Sequence, residues 1–448
     1  MVTRSELLSA RVPRYTSYPT APHFNAGVGG ATVHGWLSDL PLDAPLSLYF
    51  HIPFCDRLCW FCGCHTRVVN SYVPIAAYVD VLLREFDMVG EVLGQGRPVT
   101  HIHFGGGSPT MLSPRDIARI AGAIRGRFDV RPSAEFAVEI DPRTLRADVV
   151  DAFAQAGVTR ASLGVQDINP QVQRAVNRWQ PMAQTREAVE RLRDAGITAL
   201  NVDLMYGLPH QTVDDVRRTI DEVQTLAPQR VAIFGYAHVP DMKRHQQLID
   251  AATLPGGEER LQQYDAANAA MIAYGYAPIG LDHFARADDP MAVALRTGTL
   301  SRNFQGYTTD AAAALIGFGA SAISAFPQGY AQNDTDAAGY RGKIRRGEPA
   351  TVRGRAVTAD DRVRRAIIER LMCDLAVDLS SIAADYDCGP NAFAVERERL
   401  AALQAEGLVD VDGYRLRIPD EARAGLRLVC AVFDSYLQPQ AARHAAAV

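Results

Sequence analysis

The chain has 448 residues, 48% of them hydrophobic, and a formal net charge of −5. Such a length exceeds the roughly 100–200 residues of a simple domain, although barrel folds run longer as single units, and the apolar share suits a globular protein with a large core. Charge is spread without long runs of one sign, which makes no case for nucleic acid or a membrane surface. No apolar stretch of about 18 residues marks a spanning helix; the nearest, Ala311 to Phe326, is interrupted by Gly317, Gly319, Ser321 and Ser324. No charged segment followed by an apolar core opens the chain, so a cytoplasmic protein without a secretory signal is expected.

In chain order, residues 1–45 form an arm rich in Pro, Tyr and Thr, including Pro13-Arg14-Tyr15-Thr16-Ser17-Tyr18-Pro19-Thr20, with no helical or strand period. From residue 46 to about 281, short β-rich segments alternate with amphipathic ones. Strands are predicted at Leu46–Ile52, Thr100–Phe104, Glu135–Ile140, Arg160–Val165, Ala199–Met205 and Val231–Tyr236, and helices at Ala76–Val89, Pro114–Arg127, Arg186–Ala195 and Val213–Leu226. Alternation of this kind predicts parallel β/α units. Six units without a nucleotide-type strand reversal predict an α/β fold, a full or partial (β/α) barrel over residues 46–350. Residues 351–448 change pattern. Helices are expected at Asp361–Leu375, Asn391–Ala405 and Glu421–Leu437, with a β-like piece at Leu408–Ile418: a small, mostly helical, winged domain that ends in an alanine-rich tail, Ala441–Val448.

Chemistry on a β/α barrel collects at the C-terminal ends of the strands. The unusual residues here follow the predicted strands: Cys55 after the first, Gly105 after the second, Glu139 and Asp141 ending the third, Gln166 ending the fourth, Asp203 on the fifth and Ala237 past the sixth. Together they suggest one shared rim.

Of seven cysteines, four lie between Cys55 and Cys64. An odd, clustered count argues for metal or redox chemistry rather than a disulfide framework. Cys55, Cys59 and Cys62 are spaced Cys-x3-Cys-x2-Cys. Thiolates suit iron–sulfur clusters, Zn and Cu(I). A structural zinc site needs four protein ligands; Cys64 could be the fourth, but its closeness to Cys62 is awkward, and it is read as non-ligating. Three cysteines on a cubane leave one iron open to a small molecule.

Gly105-Gly106-Gly107-Ser108-Pro109-Thr110 follows the second strand, and three glycines would expose backbone and admit a ligand. Glu139 and Asp203 are acids inside strands that a parallel sheet would bury on both faces; each needs a partner, either a cofactor group or an internal ion pair. Gln166 and Arg178 read, by residue chemistry alone, as loop or surface positions.

The cysteine spacing resembles that of the radical S-adenosylmethionine superfamily. Eleven further segments extend the likeness to the oxygen-independent coproporphyrinogen III oxidase family: Pro13–Ala21, Gly105–Thr110, Glu139–Pro142, Gly164–Asp167, Val176–Arg178, Asp203–Thr212, Tyr236–Pro240, Asp282–Arg286, Arg302–Thr309, Ser321–Ser324 and Arg364–Leu375. The resemblance implies a 4Fe-4S cluster on Cys55, Cys59 and Cys62 and two S-adenosylmethionine molecules. Tyr49, Phe61, Gly106, Glu139 and Ile323 would hold the one on the cluster, and Gly107, Ser108, Gln166, Arg178, Asp203 and Ala237 the second. It also implies decarboxylation of two propionates of coproporphyrinogen III to vinyl groups by a 5′-deoxyadenosyl radical. No acid or base is assigned. A one-electron donor such as flavodoxin or ferredoxin, and a monomer, are implied with it.

Arg14, Arg286 and Arg302 stand in matching segments and are candidates for the substrate carboxylates. Two departures are local: Ser108 stands where the family usually has Thr, and Ala311–Ala314 replaces a more polar stretch. The alternatives are a haem-binding chaperone with the same cluster loop, whose members are shorter at the N-terminus and lack a counterpart of Cys64, and a radical enzyme for another substrate.

Overall fold

A computed structural model describes residues 10–389 and 392–437. The chain divides into two compact units, one from residues 24–203 and 310–356, the other from 1–23, 204–309 and 357–448.

In the first unit, strands β1 (Leu46–Ile52), β2 (Pro98–Gly106), β3 (Asp129–Ile140), β4 (Arg160–Gln166) and β5 (Ala199–Tyr206) lie side by side in chain order. Strand β5 carries the chain across the boundary after Asp203. β1 pairs in parallel with β2, β2 with β3, and β3 with β4. On the far side β1 pairs in parallel with Ala314–Phe318, which starts an antiparallel run through Ile323–Phe326, Gly329–Asn333 and Thr351–Ala356. The fold is the predicted α/β one, with parallel β/α units of partial-barrel type.

Helices fall between these strands where the apolar period demands them. Val73–Leu93 buries Ile75, Tyr78, Val79, Leu82, Phe86 and Leu93, a stripe at helical spacing, and ends at Gly94, whose φ of 83° suits glycine. Pro114–Arg127 starts on a Ser113 cap whose side chain accepts from the Asp116 N–H. Under the sheet, Phe50 stacks on Phe318 at 4.9 Å and meets Phe104 edge-on at 5.2 Å. Burying each such ring contributes about 1.5–3 kcal/mol.

In the second unit, β6 (Arg230–Gly235) pairs antiparallel with His283–Arg286, which pairs in turn with Tyr276–Ile279. A buried cluster of Ile279, Met291, Leu300, Tyr307 and Cys373 forms its core. The helix Ala359–Asp374 opens on a reciprocal cap between Thr358 and Asp361. A hairpin, Asp410–Asp412 with Arg415–Arg417, lies within the β-like piece expected at Leu408–Ile418.

Some boundaries differ from expectation. The arm contains a helix, Gly30–Ser38, that buries only Trp36 and Leu37, too few to show a period. β3 begins six residues before the expected start, paired from Asp129 and Val130 with Pro98 and Val99 of β2, although its stretch Arg131–Ser133 is exposed and carries no apolar signal. The segment Glu421–Leu437 is a 3₁₀ turn over Asp420–Gly425 and then a short helix, Leu426–Val432. Asp434 ends the helical path: its carboxylate accepts from the Tyr15 hydroxyl at 3.0 Å and from the Tyr436 N–H at 2.9 Å. A further short helix, absent from the expected pattern, runs over Leu379–Asp385. The start of the expected helix at Asn391 and the tail Ala441–Val448 lie outside the described residues. Among the described residues, no helix is long and apolar enough to cross a membrane.

Candidate active site

Strands β2 to β5 are not buried on both faces, as a parallel sheet would suggest. They alternate. Ile102, Phe104, Val138, Ile140, Leu163, Leu200 and Val202 form the apolar face. The other face carries His101, His103, Glu139, Ser162, Asn201 and Asp203, all partly open. Register aligns this polar set, since Tyr49 lies opposite His103 and Glu139 opposite Ser162. A period of two with polar residues on one face lines a cavity.

Glu139 finds an internal partner. Its carboxylate lies 3.3 Å from His103 Nε2 and accepts the Gly106 N–H at 2.9 Å. Partial burial opposes its charge, but these contacts hold the carboxyl below the usual range. Asp203 accepts from the Ser162 hydroxyl at 2.8 Å and from Asn201 Nδ2 at 2.8 Å. These two donors to the Asp203 carboxylate are neutral. Tyr49 donates to or accepts from His51 Nδ1 at 3.0 Å, while His51 Nε2 meets the His65 carbonyl at 2.9 Å. Burial lowers His51 and raises Tyr49, so both rings are neutral near pH 7.

The cysteine loop leaves the sheet at the end of β1. Phe54–Cys55 pairs with Arg67–Val68, closing it at its base. The Trp60 N–H donates to the Val176 carbonyl at 2.9 Å, and Asn177 Nδ2 donates to the Leu58 carbonyl at 2.9 Å. Val176-Asn177-Arg178 therefore anchors the loop, a role that residue chemistry alone did not suggest.

Arg178 is buried, not a surface residue. Its Nη1 lies 3.4 Å from Cys59 Sγ, and Nη2 donates to the Gly164 carbonyl at 2.5 Å. Arg143 Nη2 reaches the same sulfur at 3.5 Å and pairs with Asp141 at 2.7 Å. Although burial opposes ionisation of Asp141, Arg178 and Arg143 hold its carboxyl at about 2. Thr66 Oγ1 donates to Cys55 Sγ at 3.4 Å, and the Cys64 N–H to Cys62 Sγ at 3.4 Å. Cys64 itself is exposed.

These donors fit a cluster. Each of the three sulfurs has a hydrogen-bond donor, as thiolates on iron do. Among the described residues no three His, Cys, Asp or Glu side chains converge on one ion, a convergence that a cubane giving each thiolate its own iron does not require. Burial pushes the Cys55 thiol up to about 12, against the pull of the Thr66 hydroxyl. A thiolate there needs iron beside it.

The glycines serve the chain itself. Gly107 N–H donates to the Ile52 carbonyl at 2.9 Å and Ser108 N–H to the Phe54 carbonyl at 2.7 Å. Gly106 sits at φ 111°, where a Cβ would stand 2.4 Å from the His51 ring. Instead of exposing backbone N–H groups, the run lets β2 press against the start of the cysteine loop. The Ser108 hydroxyl is buried against Thr110 Oγ1 at 2.7 Å.

Gln166 closes β4 in a left-handed conformation, φ 71°. Ile323 opens the strand beside Ala314–Phe318, its carbonyl close to Gly317, which lies opposite Tyr49. Phe61 sits in the loop, partly open. Ala237 follows β6 in the second unit, where its carbonyl accepts from Gln246 at 3.2 Å. Also in that unit, Arg14 and Arg302 line one pocket. Arg286 is exposed and lies over the Tyr276 ring at 5.6 Å. The alanine run begins at Asp310, which pairs with His101 at 3.1 Å and accepts from Ser47.

A β/α sheet whose first strand opens into a three-thiol loop, facing a polar wall, defines a protein of the radical S-adenosylmethionine class. The Radical SAM superfamily model matches residues 49–223, and the HemN C-terminal domain matches residues 357–424. The chain is 50% identical over 438 residues to an oxygen-independent coproporphyrinogen III oxidase of Bradyrhizobium diazoefficiens, covering 98% of this chain and 97% of that one. It is 40% identical to the Escherichia coli protein of the same name, over 96% and 94% of the two chains. The solved structure of coproporphyrinogen III oxidase (HemN) from Escherichia coli, described as a radical SAM enzyme, superposes with a TM-score of 0.90 at 38% identity, covering 96% of this chain and all of that one. The chain belongs to the oxygen-independent coproporphyrinogen III oxidase family.

Proposed function

We propose that this chain is an oxidoreductase that converts two propionate side chains of coproporphyrinogen III to vinyl groups without oxygen, giving protoporphyrinogen IX. The observation that carries the reading is the loop of Cys55, Cys59 and Cys62 at the end of β1, beside the polar face of Glu139 and Asp203, in a chain that matches its relatives over nearly its whole length.

Cys55, Cys59 and Cys62 would hold a 4Fe-4S cluster. When bound, that cluster supplies the electron that splits S-adenosylmethionine into methionine and a 5′-deoxyadenosyl radical. From each propionate the reaction removes one hydrogen atom, carbon dioxide and one electron. The chain's part is to bind, orient and exclude water. Glu139, ionised and fixed by His103 and Gly106, suits the hydroxyls or ammonium of S-adenosylmethionine. Tyr49, Phe61 and Ile323 would frame that molecule. A second one is proposed against Gly107, Ser108, Gln166, Arg178 and Asp203.

The proposal divides the chain into an arm (1–45), a barrel (46–350) and a C-terminal domain (351–448). It includes a cytoplasmic monomer served by a one-electron donor such as flavodoxin or ferredoxin, each on the family resemblance.

The test is an anaerobic assay of the reconstituted protein with coproporphyrinogen III, S-adenosylmethionine and a reductant. Wild type should form vinyl product, and Cys59→Ala should lose more than the about 10–100-fold typical of a change outside the ligand shell. Equal activity in the two proteins would remove the mechanism.

A further inference from the structure

In the first unit, the chain that follows the cysteine loop is mostly exposed from His65 to Val73. Within six residues it leaves three large apolar side chains open: Val68 at 39%, Tyr72 at 36% and Val73 at 75%. Apolar groups gathered in this way, rather than scattered singly, mark a surface that meets a partner. Tyr72 is fixed in its place, since its hydroxyl donates to Asp116 at 2.5 Å and accepts the Ser113 N–H at 2.7 Å. The same segment borders a cavity of about 380 Å³, to which it contributes His65, Thr66, Arg67 and Pro74. The lining includes two guanidiniums, Arg67 and Arg341, and one carboxylate, Asp336, which accepts the Gly339 N–H at 2.8 Å as the cap of the helix Ala337–Arg345. In a chain of net charge −5, this face has a positive excess.

This surface is bonded directly to one of the three thiols of the loop. Exposed Val68 is the register partner of Cys55. The Val69 N–H donates to the Cys55 carbonyl at 3.1 Å, and Thr66 Oγ1 donates to Cys55 Sγ at 3.4 Å. Thr66 therefore touches the sulfur and lines the cavity at once.

We infer that this face receives the one-electron donor: a small redox protein with an acidic surface docks on Val68, Tyr72 and Val73, with Arg67 and Arg341 as its counter-charges. An apolar centre flanked by arginine is the composition that interfaces favour. Opposite charge speeds the encounter of partners that must meet and part at every turnover. Transfer forms and breaks no bond; one electron leaves the donor and enters the cluster, and the hydrogen bonds of Thr66 and Val69 connect the docked surface to Cys55. The inference rests on the reading of Cys55, Cys59 and Cys62 as cluster ligands and is independent of the substrate.

The test is stopped-flow reduction of the reconstituted protein, read as bleaching of the cluster absorbance, by an acidic flavodoxin in its hydroquinone form and separately by dithionite. Flavodoxin should reduce wild type, faster at low salt. Arg67→Glu should slow that reduction by about tenfold or more, a gap that narrows as salt rises. Val73→Ser, a neutral change, should slow it by about threefold at any salt through lost apolar contact. Iron content and reduction by dithionite should match wild type in both variants. Arg131→Glu, an equal charge change at an exposed position in the first half of β3, should stay within about twofold of wild type because salt screens distant charges.

If flavodoxin reduces wild type and both variants at one rate, or if dithionite alone reduces wild type, the docking face falls and the cluster stands. The face falls equally if Arg131→Glu slows reduction as much as Arg67→Glu. It falls too if Arg67→Glu and Val73→Ser turn a dimer into a monomer in sedimentation, which would give the surface to a second copy of the chain. If neither reductant bleaches wild type, the cluster reading falls with it.

Discussion

The guanidinium of Arg178 lies with Nη1 3.4 Å from the sulfur of Cys59, and the same sulfur takes a second contact, at 3.5 Å, from Arg143. Positive charge and N–H donation to a cluster thiolate favour the reduced, more negative state. Arg178→Gln should therefore shift the cluster midpoint potential to a more negative value. A hydrogen bond to a charged group is worth about 1.5–3 kcal/mol, enough to resolve in a redox titration followed by electron paramagnetic resonance. An unchanged potential would show that the contact does not persist once iron is bound.

Glu139 is an ionised group on the polar wall, and its two internal partners hold it in one place. Glu139→Gln removes the charge and keeps the shape. Binding of S-adenosylmethionine should weaken by about 10–100-fold, the range of a lost charge-assisted hydrogen bond, as read by equilibrium binding to the reconstituted protein. Retention of iron content in the same sample separates this effect from loss of the cluster.

Gly106 combines a φ of 111° with a close approach to His51. Gly106→Ala should destabilise the protein by about 2–4 kcal/mol, the sum of a left-handed backbone penalty and an overpacked contact. Thermal unfolding measures it. His51→Ala in the same background should restore part of the loss, because only the steric share depends on that ring.

Glu85 is buried. It accepts from the Gly319 N–H at 2.7 Å, the Tyr340 hydroxyl at 2.7 Å and Asn333 Nδ2 at 2.6 Å. Burial raises its carboxyl from the usual 4.5 to about 7, and these hydrogen bonds offset only part of that. The folded state therefore holds the proton more tightly than the unfolded chain. Its contribution to stability is complete below about pH 4.5 and declines as pH rises to about 7, by about 3 kcal/mol. The melting temperature of wild type should fall across that window, and Glu85→Gln should flatten the fall.

The haem-chaperone alternative shares the cluster loop. The arm that contains Arg14 and the presence of Cys64 argued against it in the sequence, and Arg14 lines a pocket with Arg302.

The sequence by itself determined the alternation of strand and helix, the placing of Cys55, Cys59 and Cys62 directly after the first strand, and the family to which these belong. Such features are local: a hydrophobic period and a ligand spacing are written in consecutive residues. Only the tertiary structure decided which strand face is polar, because a charged residue in a strand has no side until its neighbours are in register. It alone showed that Arg178 is buried on Cys59, that Asn177 pins the loop, and that the glycine run serves packing. It also gathered Arg14, Arg260, Arg302 and Arg427 around one small pocket while leaving Arg286 outside. Charges from four distant stretches of chain meet only through the fold, and no window of sequence contains that meeting.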